Sequence, residues 1–262
     1  MSQGIPEKGA ILTQISIYWF NYLTSKIPNL RTHFLTNDLP APLQSRPDAK
    51  SLQKRSMQVR RLAIFPIESI VRGYITGSGW AEYEKHGTVN GIPMPAGLVD
   101  GQKLEKPIWT PSTKAEQGDK DVNISPEEAA NLIGEEDARD IERLSLEIYT
   151  VAAKRAEEVG IILADTKFEF GLDKEAPGGP KIVLVDEVLT PDSSRFWPKE
   201  TWAENLGKAQ PSFDKQFVRN WLTANGLKGK PGVKLPEDVV KETARKYKEA
   251  YEKITGEKWE DC

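Results

Sequence analysis

Two carboxylates and a lysine alternate along Asp165, Thr166, Lys167, Phe168 and Glu169. Strand side chains alternate with a period of two, so Asp165, Lys167 and Glu169 share one face and Phe168 and Phe170 the other. A Pro/Gly turn over Asp173–Lys181 returns the chain as Lys181–Leu189 (KIVLVDEVL), a second strand. With the turn centred on Pro177-Gly178, Glu169 lies opposite Asp186. Carboxylates facing each other across strands repel unless something stands between them. A hard divalent cation does so, and Mg²⁺ takes one or two carboxylates together with phosphate oxygens. The spacing points to a Mg²⁺–phosphate site with Lys167 as counter-charge. It also fits a solvated polar face on which Lys167 and Lys181 neutralise the acids.

Three other stretches carry groups suited to anions. Thr190–Trp197 (TPDSSRFW) follows the second strand, with turn formers at Pro191, Asp192, Ser193 and Ser194 and a planar donor at Arg195. Arg72–Gly79 (RGYITGSG) combines an Arg, a Ser and three Gly, and glycines let backbone amides approach an anion closely. It is neither a dinucleotide fingerprint nor a Walker loop. Thr110–Asn123 offers Ser112, Thr113, Lys114, Glu116, Asp119, Lys120 and Asp121, a mixed-charge loop that suits a lid over a zwitterionic substrate. Thr190–Trp197 taken alone reads first as an ordinary Asp-Ser turn with a surface Arg, while the other two fit a Gly-rich turn and a solvent-exposed loop equally well. The kinase His-Arg-Asp and Asp-Phe-Gly motifs are absent.

The elements that must position these groups read as a mixture. Ile11–Leu23 has apolar residues at helical spacing, and Pro-rich 28–50 reads as loop. Ser56–Ile64 and Ile67–Ile75 look like strands, and Trp80–Lys85 like a short helix. Ser125-Pro126-Glu127-Glu128 is a capping box with Pro at the first helical position. A helix follows over about 136–159, with Gly160 as its stop. Phe213–Asn225 and Glu237–Thr255 are amphipathic helices. The absence of a regular strand–helix alternation favours an α+β fold.

Composition narrows the chemistry. The 262 residues hold 36 Lys and Arg against 39 Asp and Glu, a net charge of −3, which argues against a nucleic-acid or anionic-membrane binder. The one Cys is Cys262, and His33 and His86 stand far apart, which argues against disulfides, thiolate zinc and His-rich metal sites. The site must rest on Asp, Glu, Lys, Arg and Ser. Neither a signal peptide nor a long apolar run is visible, so the expected compartment is the cytosol. The acidic chain with its 7 Trp is expected to be a monomer.

Gly4–Gly9 (GIPEKG), Ile67–Gly79 (IESIVRGYITGSG), Thr110–Ser125 (TPSTKAEQGDKDVNIS), Ala164–Gly171 (ADTKFEFG), Val185–Trp197 (VDEVLTPDSSRFW) and Asp214–Asn225 (DKQFVRNWLTAN) span nearly the whole chain. Together they resemble the SAICAR synthetase family of purine biosynthesis, in its fungal monofunctional form. The resemblance implies a two-lobed α+β fold with an ATP cleft between a β-rich N-terminal lobe and a larger lobe. The implied divisions are 1–67, 68–210 and a C-terminal helical segment, 211–262. The implied reaction is ATP-dependent: phosphorylation of the carboxylate of 5-amino-1-(5-phosphoribosyl)imidazole-4-carboxylate, then attack by the amine of L-aspartate.

Carried onto this chain, the resemblance places Mg²⁺–ATP on Glu169 and Asp186 and sets Lys167 against the phosphates or the reacting carboxylate. Arg72, Ser78 and Arg195 fall on the ribose 5-phosphate, and Asp121 on the imidazole substrate. Ser112, Thr113 and Lys114 fall in the stretch over the substrates, and Glu68 near the hinge where adenine binds. Lys167 and Asp121 are the implied catalytic pair. Family members start with a phosphate-loop segment, whereas Met1-Ser2-Gln3 leads straight into GIPEKG. That departure leaves the N-terminal lobe incomplete, with weakened ATP binding and an exposed sheet edge expected. It also opens the alternative of an impaired member that only binds nucleotide or a partner.

Overall fold

The computed structural model describes residues 4–114, 121–213, 216–230 and 232–260. Its centre is a seven-stranded sheet. The strands are β1 (Ala63–Ile64), β2 (Ile67–Tyr74), β3 (Lys103–Trp109), β4 (Ser112–Thr113), β5 (Ile161–Asp173), β6 (Lys181–Val185) and β7 (Ser194–Pro198). The main path runs β6-β5-β2-β3, with β1 and β7 also on β5 and β4 on β2. Every pairing in this sheet is antiparallel. The longer helices are α1 (Lys8–Lys26), α2 (Gly77–His86), α3 (Pro126–Ile133), α4 (Glu135–Glu158), α5 (Gln216–Ala224) and α6 (Glu237–Thr255). The α+β expectation holds.

Local chemistry explains the firmest boundaries. The Ser125 hydroxyl accepts from the Glu128 amide at 3.1 Å and the Glu128 carboxylate accepts from the Ser125 amide at 2.7 Å, a complete capping box. The helix expected over 136–159 is α4, and its buried side runs through Ala138, Ile141, Ser145, Ile148, Tyr149, Ala152 and Ala156. Small residues let it lie close to the sheet. A Cβ on Gly73 would stand 1.9 Å from the Tyr149 hydroxyl, which donates to the Leu163 carbonyl at 2.6 Å. Gly73 therefore lets one tyrosine bind helix and sheet together.

β5 organises the molecule. Phe168 and Phe170 point into the main apolar cluster with Trp19, Phe20, Ile141 and Ile148, as the alternation requires. Leu163 lies in that same cluster although it has the opposite parity to Phe168. The reason is an irregularity opposite β7: Arg195 pairs with Asp165 but Phe196 pairs with Leu163. An inserted residue re-aims every side chain beyond it, which turns Asp165 to the polar face.

Differences from the sequence reading are local. The region 87–123, read as irregular, contains β3, a strand with Pro107 inside it. β7 starts within the stretch read as a turn. The Pro-rich 28–50 segment holds a short strand, Phe34–Thr36, and a helical turn, Ala41–Gln44, and a second turn, Ala49–Lys54, starts at its end. No helix among the described residues is long and apolar enough to cross a membrane.

Candidate active site

The polar face of β2 and β5 floors a cavity of about 330 Å³. Glu68, Arg72, Ser78, Ser112, Asp121, Lys167 and Arg195 all line it, so seven of the residues singled out from sequence meet there. Asp165, Asn123, Asp192, Ser193, Ser194 and Arg219 complete most of the wall. Glu116, Asp119 and Lys120 of the expected lid lie outside the described residues.

Register places the groups in two sets. Arg72 on β2 pairs with Asp165 on β5, and Ile70 with Lys167. At one end Arg72 donates to Asp165 Oδ2 at 3.1 Å, to Thr110 Oγ1 at 3.0 Å and to the Ser78 hydroxyl at 3.0 Å. Arg195 forms a second ion pair with the same carboxylate. Two guanidiniums share this carboxylate, and their N–H donors lie in planar forks suited to phosphate. Burial disfavours the charged guanidinium of Arg72, and Asp165 opposes that effect. Gly77 and Gly79 make room: a Cβ on Gly77 would come within 2.5 Å of an Arg195 nitrogen, and one on Gly79 within 3.3 Å of Arg72 Cδ. The Gly-rich turn therefore seats side-chain cations.

At the other end Lys167 forms ion pairs with Glu68 and, at 3.5 Å, with Glu169. Ser112 donates to Glu68 at 3.2 Å, and Lys114 pairs with Glu169. Burial pulls the Lys167 pKa down, but its hydrogen bond to Glu68 and the charges of Glu68, Glu169 and Asp186 outweigh that, so it lies above the ordinary lysine value. Lys167 is a fixed ammonium at neutral pH. Thr113 shapes the local backbone: its amide donates to the Val122 carbonyl at 2.9 Å, and its hydroxyl accepts from the Val122 amide at 3.2 Å.

The hairpin register differs by one residue from the arithmetic. Glu169 pairs with Val185, not Asp186. Asp186 follows the end of β6 with φ of 61°. The acid across the strands from Glu169 comes from the other neighbour: β2 and β5 pair Ser69 with Phe168, and one step on lie Glu68 and Glu169. Lys167 stands between them. In this structure the opposing acid is Glu68, and a lysine relieves the repulsion. Glu68 accordingly lies inside the cavity with Lys167 and Ser112.

Asp165 was placed on the correct face from sequence without a role. Its signal was available: an acid two residues from Lys167 near an Arg-bearing strand. Arg219 on α5 gave no local signal, since only the tertiary fold brings it to the cavity.

The fold and this divided pocket, cationic at one end and lysine–carboxylate at the other, define an enzyme that handles a phosphorylated small molecule. The family model described as SAICAR synthetase matches residues 1–236. A phosphoribosylaminoimidazole-succinocarboxamide synthase from Candida maltosa is 52% identical over 262 residues, covering 100% of this chain and 85% of its own. The structure of a Saccharomyces cerevisiae SAICAR synthase complexed with SAICAR superposes with a TM-score of 0.87 at 47% identity, over 99% of this chain and 85% of that one. A SAICAR synthetase in complex with ADP gives a TM-score of 0.66 at 27% identity, over 97% and 83%. This chain belongs to the SAICAR synthetase family.

Proposed function

We propose that the cavity holds 5-amino-1-(5-phosphoribosyl)imidazole-4-carboxylate along β2 and β5, phosphate first. The protein is an ATP-dependent carbon–nitrogen ligase of purine biosynthesis. The observation that carries the orientation is the separation of the two charged sets. Arg72 and Glu68 are four residues apart on β2, roughly 13 Å along a strand. A phosphate at Arg72, Ser78 and Arg195 leaves the ribose and ring pointing toward Lys167, Ser112 and Asp121.

ATP transfers its γ-phosphoryl group to the substrate carboxylate, giving an acyl phosphate and ADP. The amine of L-aspartate then attacks the acyl carbon, the C–N bond forms, and phosphate leaves with the C–O bond broken. Lys167 offsets charge on the carboxylate and the transferring group, since such catalysis rests on positioning and charge neutralisation. Asp121, exposed at the rim, contacts the imidazole substrate. Ser112, Thr113 and Lys114 form the strand-and-loop edge over it.

Mg²⁺ belongs to this reading. Glu169 and Asp186 both act electrostatically on Lys167, and two carboxylates completed by phosphate oxygens and water form a usual Mg²⁺ set. Bound there, Mg²⁺ would neutralise charge on the ATP phosphates. The enzyme is read as a cytosolic monomer. The test is isotopic: with ¹⁸O in the imidazole carboxylate, one labelled oxygen should appear in released phosphate. Unlabelled phosphate would contradict the acyl phosphate route.

A further inference from the structure

Asp192 stands in the wall of the cavity, in the turn between β6 and β7. Two side chains from opposite ends of the chain converge on it. Lys8, the first residue of α1, holds Oδ2 at 2.7 Å. The Tyr247 hydroxyl, from the middle of α6, donates to Oδ1. The Lys8 ammonium also lies 5.3 Å from the centre of the Tyr247 ring, a favourable cation–aromatic contact. Tyr247 is only 1% exposed, and α1 packs on α6.

The turn they grip carries the phosphate end of the site. The Asp192 and Ser193 amides both donate to Thr190 Oγ1 at 3.2 Å, and the Ser194 amide donates to the Thr190 carbonyl at 2.9 Å. The Ser193 carbonyl accepts from the Lys167 amide at 2.9 Å. Arg195 follows immediately. The turn is therefore tied on one side to the strand that bears Lys167. On the other, two terminal helices hold it through one carboxylate.

We propose that Lys8 and Tyr247 are positioning residues for substrate binding. They fix Asp192, and through it the placement of Ser193, Ser194 and Arg195 against the substrate phosphate. The C-terminal helix, remote from the reaction in sequence, thereby sets affinity for the phosphorylated substrate. The inference rests on the proposed orientation of that substrate. A charge-assisted hydrogen bond is strong and directional, so losing one lets a turn shift by fractions of an ångström. Misplacement on that scale weakens binding and turnover well away from the altered atom.

The test uses Tyr247→Phe, which removes one oxygen, Lys8→Met, which removes one charge, and Lys8→Arg, which restores it. The imidazole carboxylate is titrated calorimetrically into each full-length protein, and KM is measured for it and for ATP. The expected result is five- to twenty-fold weaker binding of the imidazole carboxylate in Tyr247→Phe and Lys8→Met. ATP KM should stay within twofold, and Lys8→Arg should recover most of the loss. Because both act on one carboxylate, the double variant should lose less than the product of the single effects. Unchanged binding in a folded variant, or equal weakening toward ATP, overturns the inference. Wild-type protein that binds the ligand without forming product contradicts the ligase reading and leaves the binding comparison to decide this one. Wild-type protein that does not bind the ligand overturns both.

Discussion

Arg72 and Arg195 donate to the same atom, Oδ2 of Asp165. Arg72 is almost wholly buried and Arg195 is one-third exposed. One carboxylate therefore holds two guanidiniums side by side in the wall of the cavity. In the proposed orientation a substrate phosphate would meet this pair of guanidiniums.

Asp165→Asn keeps the shape and removes the charge. It leaves a buried guanidinium without its counter-ion, and breaking such a pair costs about 3 kcal/mol. Urea unfolding should show a loss of that order. A loss under about 1 kcal/mol, within the range of an exposed ion pair, would contradict the role given to Asp165.

Gly77 and Gly87 both have positive φ, 59° and 69°, and differ in what surrounds them. A Cβ at Gly77 meets Arg195, whereas one at Gly87 meets open space. Both Ala variants should cost about 1 kcal/mol in backbone strain. Only Gly77→Ala should also raise KM for the phosphorylated substrate, by roughly tenfold, through displacement of Arg195. Equal KM values for the two variants would remove the argument for Gly77.

Lys167 has a raised pKa, so its ion pairs contribute stability fully below the unfolded lysine value of 10.5. That contribution is lost as pH rises through the folded value. The stability of the wild-type protein should fall more steeply above pH 10.5 than that of Lys167→Met. At neutral pH Lys167→Met should lose nearly all turnover. Parallel stability curves at alkaline pH would count against the bridge between Glu68 and Glu169.

Chelation of divalent cations should stop turnover, and added Mg²⁺ should restore it. Glu169→Gln and Asp186→Asn should each abolish activity while the protein remains folded by circular dichroism. Retained activity in either variant would count against the metal assignment.

Much of this site was legible because strand alternation holds from Asp165 to Phe170. Asp165, Lys167 and Glu169 share a face, and Phe168 and Phe170 fill the core behind them. Register was less legible, since a seven-residue connection can centre on Pro177 or half a step beyond it. That half step moved the partner of Glu169 from Asp186 to Val185. The irregularity at β7 left no sequence mark, because an extra residue in a strand is decided by the partner strand. β3 was hidden by Pro107, and Arg219 by its distance in sequence from everything it approaches. The α3 capping box was fully legible, because both its hydrogen bonds are local.

The most direct test of the ligase reading is coupled ADP release from this chain. ADP should accumulate only when ATP, L-aspartate and the imidazole carboxylate are all present, with one succinocarboxamide formed per ADP. ADP release that ignores either co-substrate, or binding of all three without product, would contradict the account.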